Sequence, residues 1–368
     1  MDVCVVGAGI IGASTAYYLA RGGASVTVFD MYDQPSGASA ATFGWVNANG
    51  KSPDHYFELN RAGMEANAEL ARTLGGGTWL HGGGSLEWVD ADGSAGLHER
   101  VESLAARGYP AELVDAARLR ELEPALQPMS QMDGGTGAAA YFPSEGWVDS
   151  VALIHELLAS AAHIGARVRR GVRVTALERG RATTTVVLDG SDSVAADVVV
   201  NCAGADAGTI AAYAGLAMGT IGPVGLNAVT APLSSSVTRV VRAPGVHFRP
   251  ERDGRLMIAS PAADAALARG ADPADLASGL IEAAARHLPT VAAASVDEAR
   301  VARRAIPTDG LPVLGCHPDA PWLYHVVTHS GVTLAPLLGR LAAAEIVTGA
   351  EEERLSAYRP TRFVGSIT

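Results

Sequence analysis

A short apolar run, Val3-Cys4-Val5-Val6, passes directly into Gly7-Ala8-Gly9-Ile10-Ile11-Gly12 and then into a helical pattern over residues 13–21. A second β-branched run, Ser25-Val26-Thr27-Val28-Phe29, ends on the acid Asp30. Strand, glycine turn, helix, strand and acid in that order restrict the chain to an α/β fold opening on a βαβ unit. Each part suits a dinucleotide. Gly7 permits the tight turn, Gly9 lets backbone N–H groups approach a pyrophosphate, Gly12 lets helix pack on strand, and Asp30 accepts hydrogen bonds from a ribose. An ordinary βα turn without a ligand uses similar glycines, but an acid about 20 residues on, inside a complete βαβ unit, argues for the ligand.

At 368 residues the chain suits two intimately joined domains, and its 48% hydrophobic content allows a large core. The apolar stretches, such as residues 194–203, are strand-length and well short of the ~20 residues of a membrane span, so none is expected. The first strand begins at the second or third residue, leaving no room for a signal peptide, and a cytoplasmic location is expected. A formal charge of −11 without a basic run excludes a phosphate-tracking surface, so nucleic acid is not an expected partner. Cys4, Cys202 and Cys316 are odd in number and unpatterned, which predicts neither a disulfide framework nor a metal site.

Residues 34–47 are small and polar with two aromatics, suited either to close backbone contact with a flat ligand or to a plain surface loop; Ser39 and Thr42 are its hydrogen-bonding candidates. A helix is predicted over residues 56–74, and from residue 78 the texture changes to strands and turns, with strands at 85–89 and 137–142 and helices ending near 107 and spanning 113–122. A long amphipathic helix follows at 150–164. Residues 166–178 and 183–189 read as paired strands, and the apolar strand 197–202 ends on Ala203-Gly204-Ala205, a turn able to close a dinucleotide site from the opposite side. A second excursion carries strands at 224–230, 237–242, 246–249 and 255–259 and a helix at 273–288. The last part holds an arginine pair, Arg303-Arg304, short strands near 313 and 322–327, and His329-Ser330-Gly331 leading into a helix over 332–348. A helix N-terminus reached through a glycine turn is an anion site.

Six motifs in this order carry a resemblance: the GAGIIG turn; Gly37-Ala38-Ser39; Tyr141-Phe142-Pro143-Ser144-Glu145-Gly146-Trp147-Val148-Asp149; Asn201-Cys202-Ala203-Gly204; Asp309-Gly310-Leu311-Pro312; and Thr333-Leu334-Ala335-Pro336. The chain resembles, over nearly its full length, the D-amino-acid-oxidase superfamily of flavoproteins, closest in layout to glycine oxidase, monomeric sarcosine oxidase and the amino-acid dehydrogenases. The resemblance implies an α/β fold with a Rossmann-type FAD-binding domain (1–76, 143–220, 303–368) and a substrate-binding domain (77–142, 221–302) built on a mixed, largely antiparallel sheet. It implies FAD held by Gly7, Gly9, Gly12 and Asp30, by Ser39 and Ala40 of the small-residue loop, by the backbone at Val174, by Ala203 and Gly204, and by Gly331, Val332 and Thr333 at the flavin pyrimidine edge. The family often has Glu where this chain has Asp30.

On the substrate side the resemblance aligns Arg304 with the arginine that holds a substrate carboxylate, a task suited to a guanidinium fork, the alternative being a surface arginine beside Arg300 and Arg303. His247 and Arg249 share one face of a predicted strand over the flavin, His247 standing where glycine oxidase has a pocket tyrosine, and His329 is placed near the ring edge. For both histidines a structural role is the alternative. The cysteine that attaches flavin in sarcosine oxidases aligns near Ala302, so non-covalent FAD is expected. Their oxygen-activating lysine has no counterpart, since Lys51 is the chain's only lysine. The implied reaction is oxidation of the C–N bond of an amine or amino acid by hydride transfer to flavin N5, giving an imine that water hydrolyses, with O2 or another acceptor reoxidising the flavin. The alternatives are a non-catalytic or electron-transfer flavoprotein subunit of a complex, and a nicotinamide dehydrogenase, which would be colourless.

Overall fold

The computed structural model describes residues 1–127, 137–234 and 236–363. Its organising layer is a six-stranded sheet in the order Val313–His317, Ala320–Val327, Val198–Asn201, Asp2–Val6, Ser25–Phe29, Arg167–Arg169. Five strands run parallel and Val313–His317 pairs antiparallel at one edge. The apolar run of Asp2–Val6 is buried on both faces: Val3 and Val5 pack with helices Ile10–Arg21, Ser150–His163 and Gly331–Thr348, and Cys4 and Val6 with a three-stranded antiparallel sheet of Val174–Arg179, Thr184–Leu188 and Ser193–Ala196. Asp2–Val6 has its sequence neighbour Ser25–Phe29 on one side and Val198–Asn201 on the other. Strand order therefore reverses beside the first strand, which opens a crevice at the strands' carboxyl ends.

Helix Ile10–Arg21 packs against the C-terminal helix Gly331–Thr348, where Ser14 Oγ donates to the Ala335 carbonyl at 2.7 Å. Among the described residues this C-terminal helix alone is long and apolar enough to cross a membrane, with mean hydropathy 1.3; it is 67% buried inside the protein. Its Leu334, Leu337 and Leu338 join Val3, Val5, Leu153 and Leu157 in one core.

The second layer is an eight-stranded sheet in the order Val296–Arg303, Val224–Thr230, Leu256–Ala259, Val246–Pro250, Val240–Ala243, Ser85–Val89, Ala138–Phe142, Glu112–Val114. All its pairings are antiparallel except Val240–Ala243 with Ser85–Val89, the mixed, largely antiparallel sheet expected. Strand alternation sends Val246 and Phe248 into a core with Leu280 and Leu288, and His247 to the opposite face.

Several local expectations shift. Residues 113–122 divide into strand Glu112–Val114 and helix Ala116–Leu122, because Asp115 accepts the Arg118 N–H at 2.8 Å as an N-cap. Residues 166–178 are two strands in different sheets, Arg167–Arg169 and Val174–Arg179, separated at Gly171 with φ +67°. Helix Pro261–Ala268 and edge strand Val296–Arg303 are additional elements.

Candidate active site

The first turn is built by close approach. Gly7 has φ +103°, and a Cβ there would lie 2.4 Å from the Cys202 carbonyl oxygen; a Cβ on Gly12 would lie 1.8 Å from the Gly7 carbonyl oxygen. Only glycine admits both the turn and the contact between helix and strand. Asp30 closes over this turn: its Oδ2 accepts the Ala8 N–H at 2.7 Å and its Oδ1 the Tyr32 N–H at 2.9 Å. The Ile10 N–H at the start of the helix meets Ser39 Oγ at 3.1 Å.

A cavity of about 1150 Å³ begins at this turn. Gly7, Gly9, Asp30, Val174, Ala203 and Gly204 line its first end, and Ser39 and Gly331, Val332 and Thr333 line it further on. Gly12 and Ala40 lie outside its lining. The C-terminal helix starts at Gly331, so the first-turn N–H groups of residues 331–333 have no intrahelical acceptor and face the cavity. Pro336 deprives the Val332 carbonyl of its helical donor, and Asn67 compensates, its Nδ2 donating to the Thr333 carbonyl at 2.9 Å and reaching the Val332 carbonyl at 3.5 Å. Thr333 Oγ1 donates to the Trp45 carbonyl at 3.3 Å, tying this turn to strand Trp45–Val46 at the end of the small-residue segment.

The far end carries the reactive groups. Arg304 Nη2 is 2.6 Å from Asp264 Oδ2, while Asp264 Oδ1 accepts the Leu226 N–H at 2.8 Å, so the guanidinium is steadied by a carboxylate anchored to the second sheet. Burial, with Arg242 nearby, pushes the His247 imidazole down to about 4, and its Nδ1 has no partner among the described residues. Burial, together with the charges of Lys51 and Arg304, also pushes His329 down to about 4. Both imidazoles are therefore neutral at pH 7. Lys51 stands on the cavity wall, its pKa lowered by burial against the opposing pull of Glu145.

The structure thus brings Arg304, His247 and His329 to one cavity. It places Arg249 behind the wall. That guanidinium is 2% exposed, pairs with Glu251 at 3.2 Å, bonds the Phe43 carbonyl and lies 4.2 Å from the Trp147 ring centroid, which pins the loop to the sheet. Asp264, Asn227 and Lys51 also line the space; Asp264 rides on helix Pro261–Ala268, an element not anticipated from the sequence although Ser260-Pro261 is a helix start, with Ser260 Oγ accepting the Ala262 N–H at 3.2 Å. Among the described residues no cluster of metal-ligating side chains occurs.

The donor set fits an extended dinucleotide carrying a flat ring. It offers two glycine turns, an acid beside the first, unpaired helix N–H groups for an electron-rich edge, and a volume above the roughly 300–1,000 Å³ of ordinary small-molecule pockets.

Residues 2–345 match the family described as FAD dependent oxidoreductase (DAO). The chain is 28% identical to glycine oxidase of Geobacillus kaustophilus (strain HTA426) over 377 residues, covering 100% of this chain and 98% of the relative. It is 26% identical to a subunit of the opine oxidase of Agrobacterium tumefaciens (strain Ach5), covering 99% and 98%. Among solved structures it is similar to glycine oxidase from Geobacillus kaustophilus (TM-score 0.87, 25% identity, 98% of each chain). It is also similar to iminodiacetate oxidase from Chelativorans sp. BNC1 (TM-score 0.81, 25% identity, 97% and 98%).

Proposed function

The chain belongs to the FAD-dependent oxidoreductase family, and from that premise we propose that it oxidises the C–N bond of a small amine or amino acid. The observation that carries this reading is the single cavity joining the dinucleotide turns to Arg304 and two neutral imidazoles. When bound, FAD supplies the two-electron acceptor, and O2 or another acceptor takes the pair onward.

The chain's own residues do the rest. Arg304, steadied by Asp264, takes the substrate carboxylate and so orients the α-carbon. The cations Lys51 and Arg304 disfavour an ammonium beside them, so the amine reacts as the free base, and neutral His247 and His329 accept its N–H. The α-hydrogen leaves with its bonding pair, the nitrogen lone pair closes a C=N bond, and water adds to that carbon, releasing the amine and an oxo product. Unpaired N–H groups at residues 331–333 and the helix dipole favour a ring edge that gains negative charge. Cofactor contacts fall to segments 1–76, 143–220 and 303–368, while of the substrate contacts His247 belongs to the segments 77–142 and 221–302 and Arg304, His329 and Lys51 reach in from the cofactor segments. Non-covalent FAD is supported by the thiols: Cys202 alone lines the cavity, and its Sγ turns to Thr15 Oγ1 at 4.0 Å while burial pushes its pKa up to about 12.

Anaerobic mixing of the purified yellow protein with a panel of amino acids and secondary amines tests the reading. Loss of the oxidised-flavin colour with at least one of them is expected; retention of colour with all overturns it. The likeness to a subunit of an opine oxidase favours one second reading, a flavin subunit that turns over only with a partner chain. Bleaching by the isolated chain argues against that.

A further inference from the structure

Lys51 is the only lysine among 28 lysine and arginine residues, and it stands inside the cavity rather than on the surface. It enters from the turn that follows strand Trp45–Val46, where its N–H donates to the Ala48 carbonyl at 3.1 Å. Arg304 enters from a different element, just beyond strand Val296–Arg303. Lys51, Arg304 and His329 line the same cavity, and both charges act on the His329 ring.

Their commitments differ. Arg304 gives one nitrogen to Asp264. The Lys51 ammonium has no ion pair or hydrogen bond among the described residues. The carboxylate whose charge it feels, Glu145, is outside the cavity lining and already accepts from Ser85 Oγ at 2.6 Å, Tyr109 OH at 2.6 Å and Trp45 Nε1 at 2.9 Å. Of the carboxylates on the cavity wall, Asp264 is paired with Arg304, Asp30 is held at the far turn and Asp206 is paired with Arg303. A half-buried cation without a protein partner is costly unless a ligand supplies the anion.

We propose that the substrate is a dicarboxylic amine, with one carboxylate held by Arg304 and the second by Lys51. This rests on the C–N oxidation reading and specifies its substrate class. His329, on the same cavity wall, is neutral and supplies neither cation with a counter-charge. The second acid sits on the nitrogen substituent or on a short side chain. A substrate with a single carboxylate leaves Lys51 unpaired.

The test separates binding from oxidation. FAD-loaded wild-type, Lys51→Met and Lys51→Arg proteins are titrated with thiodiacetate, a diacid without an oxidisable amine, and with methylthioacetate, its single-acid counterpart, following the flavin absorption spectrum. The wild type should bind the diacid more tightly, Lys51→Met should cut that preference ~10–100-fold, and Lys51→Arg should restore most of it. The same ratios are then read from anaerobic bleaching by iminodiacetate against glycine. Equal affinities in the wild type, or equal losses for both acids in Lys51→Met, overturn the proposal. A diacid preference without bleaching by any amine instead overturns the C–N oxidation reading while leaving the two-cation site standing. FAD content and melting temperature of each variant exclude misfolding as the cause.

Discussion

The guanidinium of Arg304 occupies the place a side chain at Gly225 would take: a Cβ there would lie 2.5 Å from Arg304 Nη2 and 2.7 Å from Cζ. Gly225 has no left-handed backbone and pairs with Ala302 in an antiparallel ladder, so nothing but this contact demands glycine. The obstructed atoms are the far end of a flexible side chain. Gly225→Ala should therefore cost little stability, since the arginine swings aside, yet displace the carboxylate anchor. The expected result is unchanged FAD content and melting temperature, with KM for carboxylate substrates raised ~10-fold or more. A KM within twofold of wild type would show that Arg304 does not need this position.

Removing the anchor itself gives a selective effect. Arg304→Ala should lower kcat/KM for amino acids by ~100-fold or more, because a charge-assisted bidentate contact is lost and Asp264 is left unpaired beside the substrate carboxylate. Amines without a carboxylate should lose far less. Steady-state kinetics on matched pairs, such as sarcosine against dimethylamine, check this, and an equal loss on both would remove Arg304 from substrate binding. Arg304→Lys should recover only part, since an ammonium cannot form the fork.

These residues were legible to different degrees. The first βαβ unit reads directly because its glycines answer steric demands made within a few residues or across one strand pair, as at Gly12 against Gly7. Arg304, His247 and His329 are reached through the family resemblance, which aligns them with substrate-side positions, rather than through any local pattern. Strand Val296–Arg303 was not legible: as an edge strand with both faces largely exposed, its sequence VDEARVAR carries no apolar alternation. The carboxylate clasp of Asp264 and the reach of Lys51 depend on which elements the two sheets bring together, and no local pattern encodes that.

Asn67 supports the cofactor end from behind. Its amide is fully buried and serves carbonyls at the start of the C-terminal helix, including that of Val332, which Pro336 leaves without a helical donor. Asn67→Leu removes the donor and leaves that carbonyl unsatisfied, which costs about 1–3 kcal/mol. Because the affected turn presents the N–H groups of residues 331–333, the loss should appear twice: a lower melting temperature of the apoprotein and faster FAD release on dilution. Weakened stability with FAD retention unaltered would separate the helix start from cofactor binding.

Glu145 and the buried histidines make stability depend on pH in opposite directions. Burial raises the Glu145 carboxyl to about 7 from 4.5, although Ser85, Tyr109 and Trp45 donate to it. Its contribution is therefore fully present below pH 4.5 and is lost as pH rises to 7, amounting to about 3 kcal/mol. His247, His325 and His329 are held near 4 from 6.5, so each contributes stability that is present above pH 6.5 and lost as pH falls toward 4. Three groups against one make the apoprotein acid-labile, with stability rising from pH 4.5 to 6.5. Glu145→Gln removes only the opposing member while keeping an acceptor for Ser85 and Trp45. Its stability relative to wild type should improve as pH rises from 5 to 8, and its acid-side slope should steepen. Urea titrations at several pH values measure this; a variant whose deficit is constant across that range would mean that Glu145 does not gain a proton on folding.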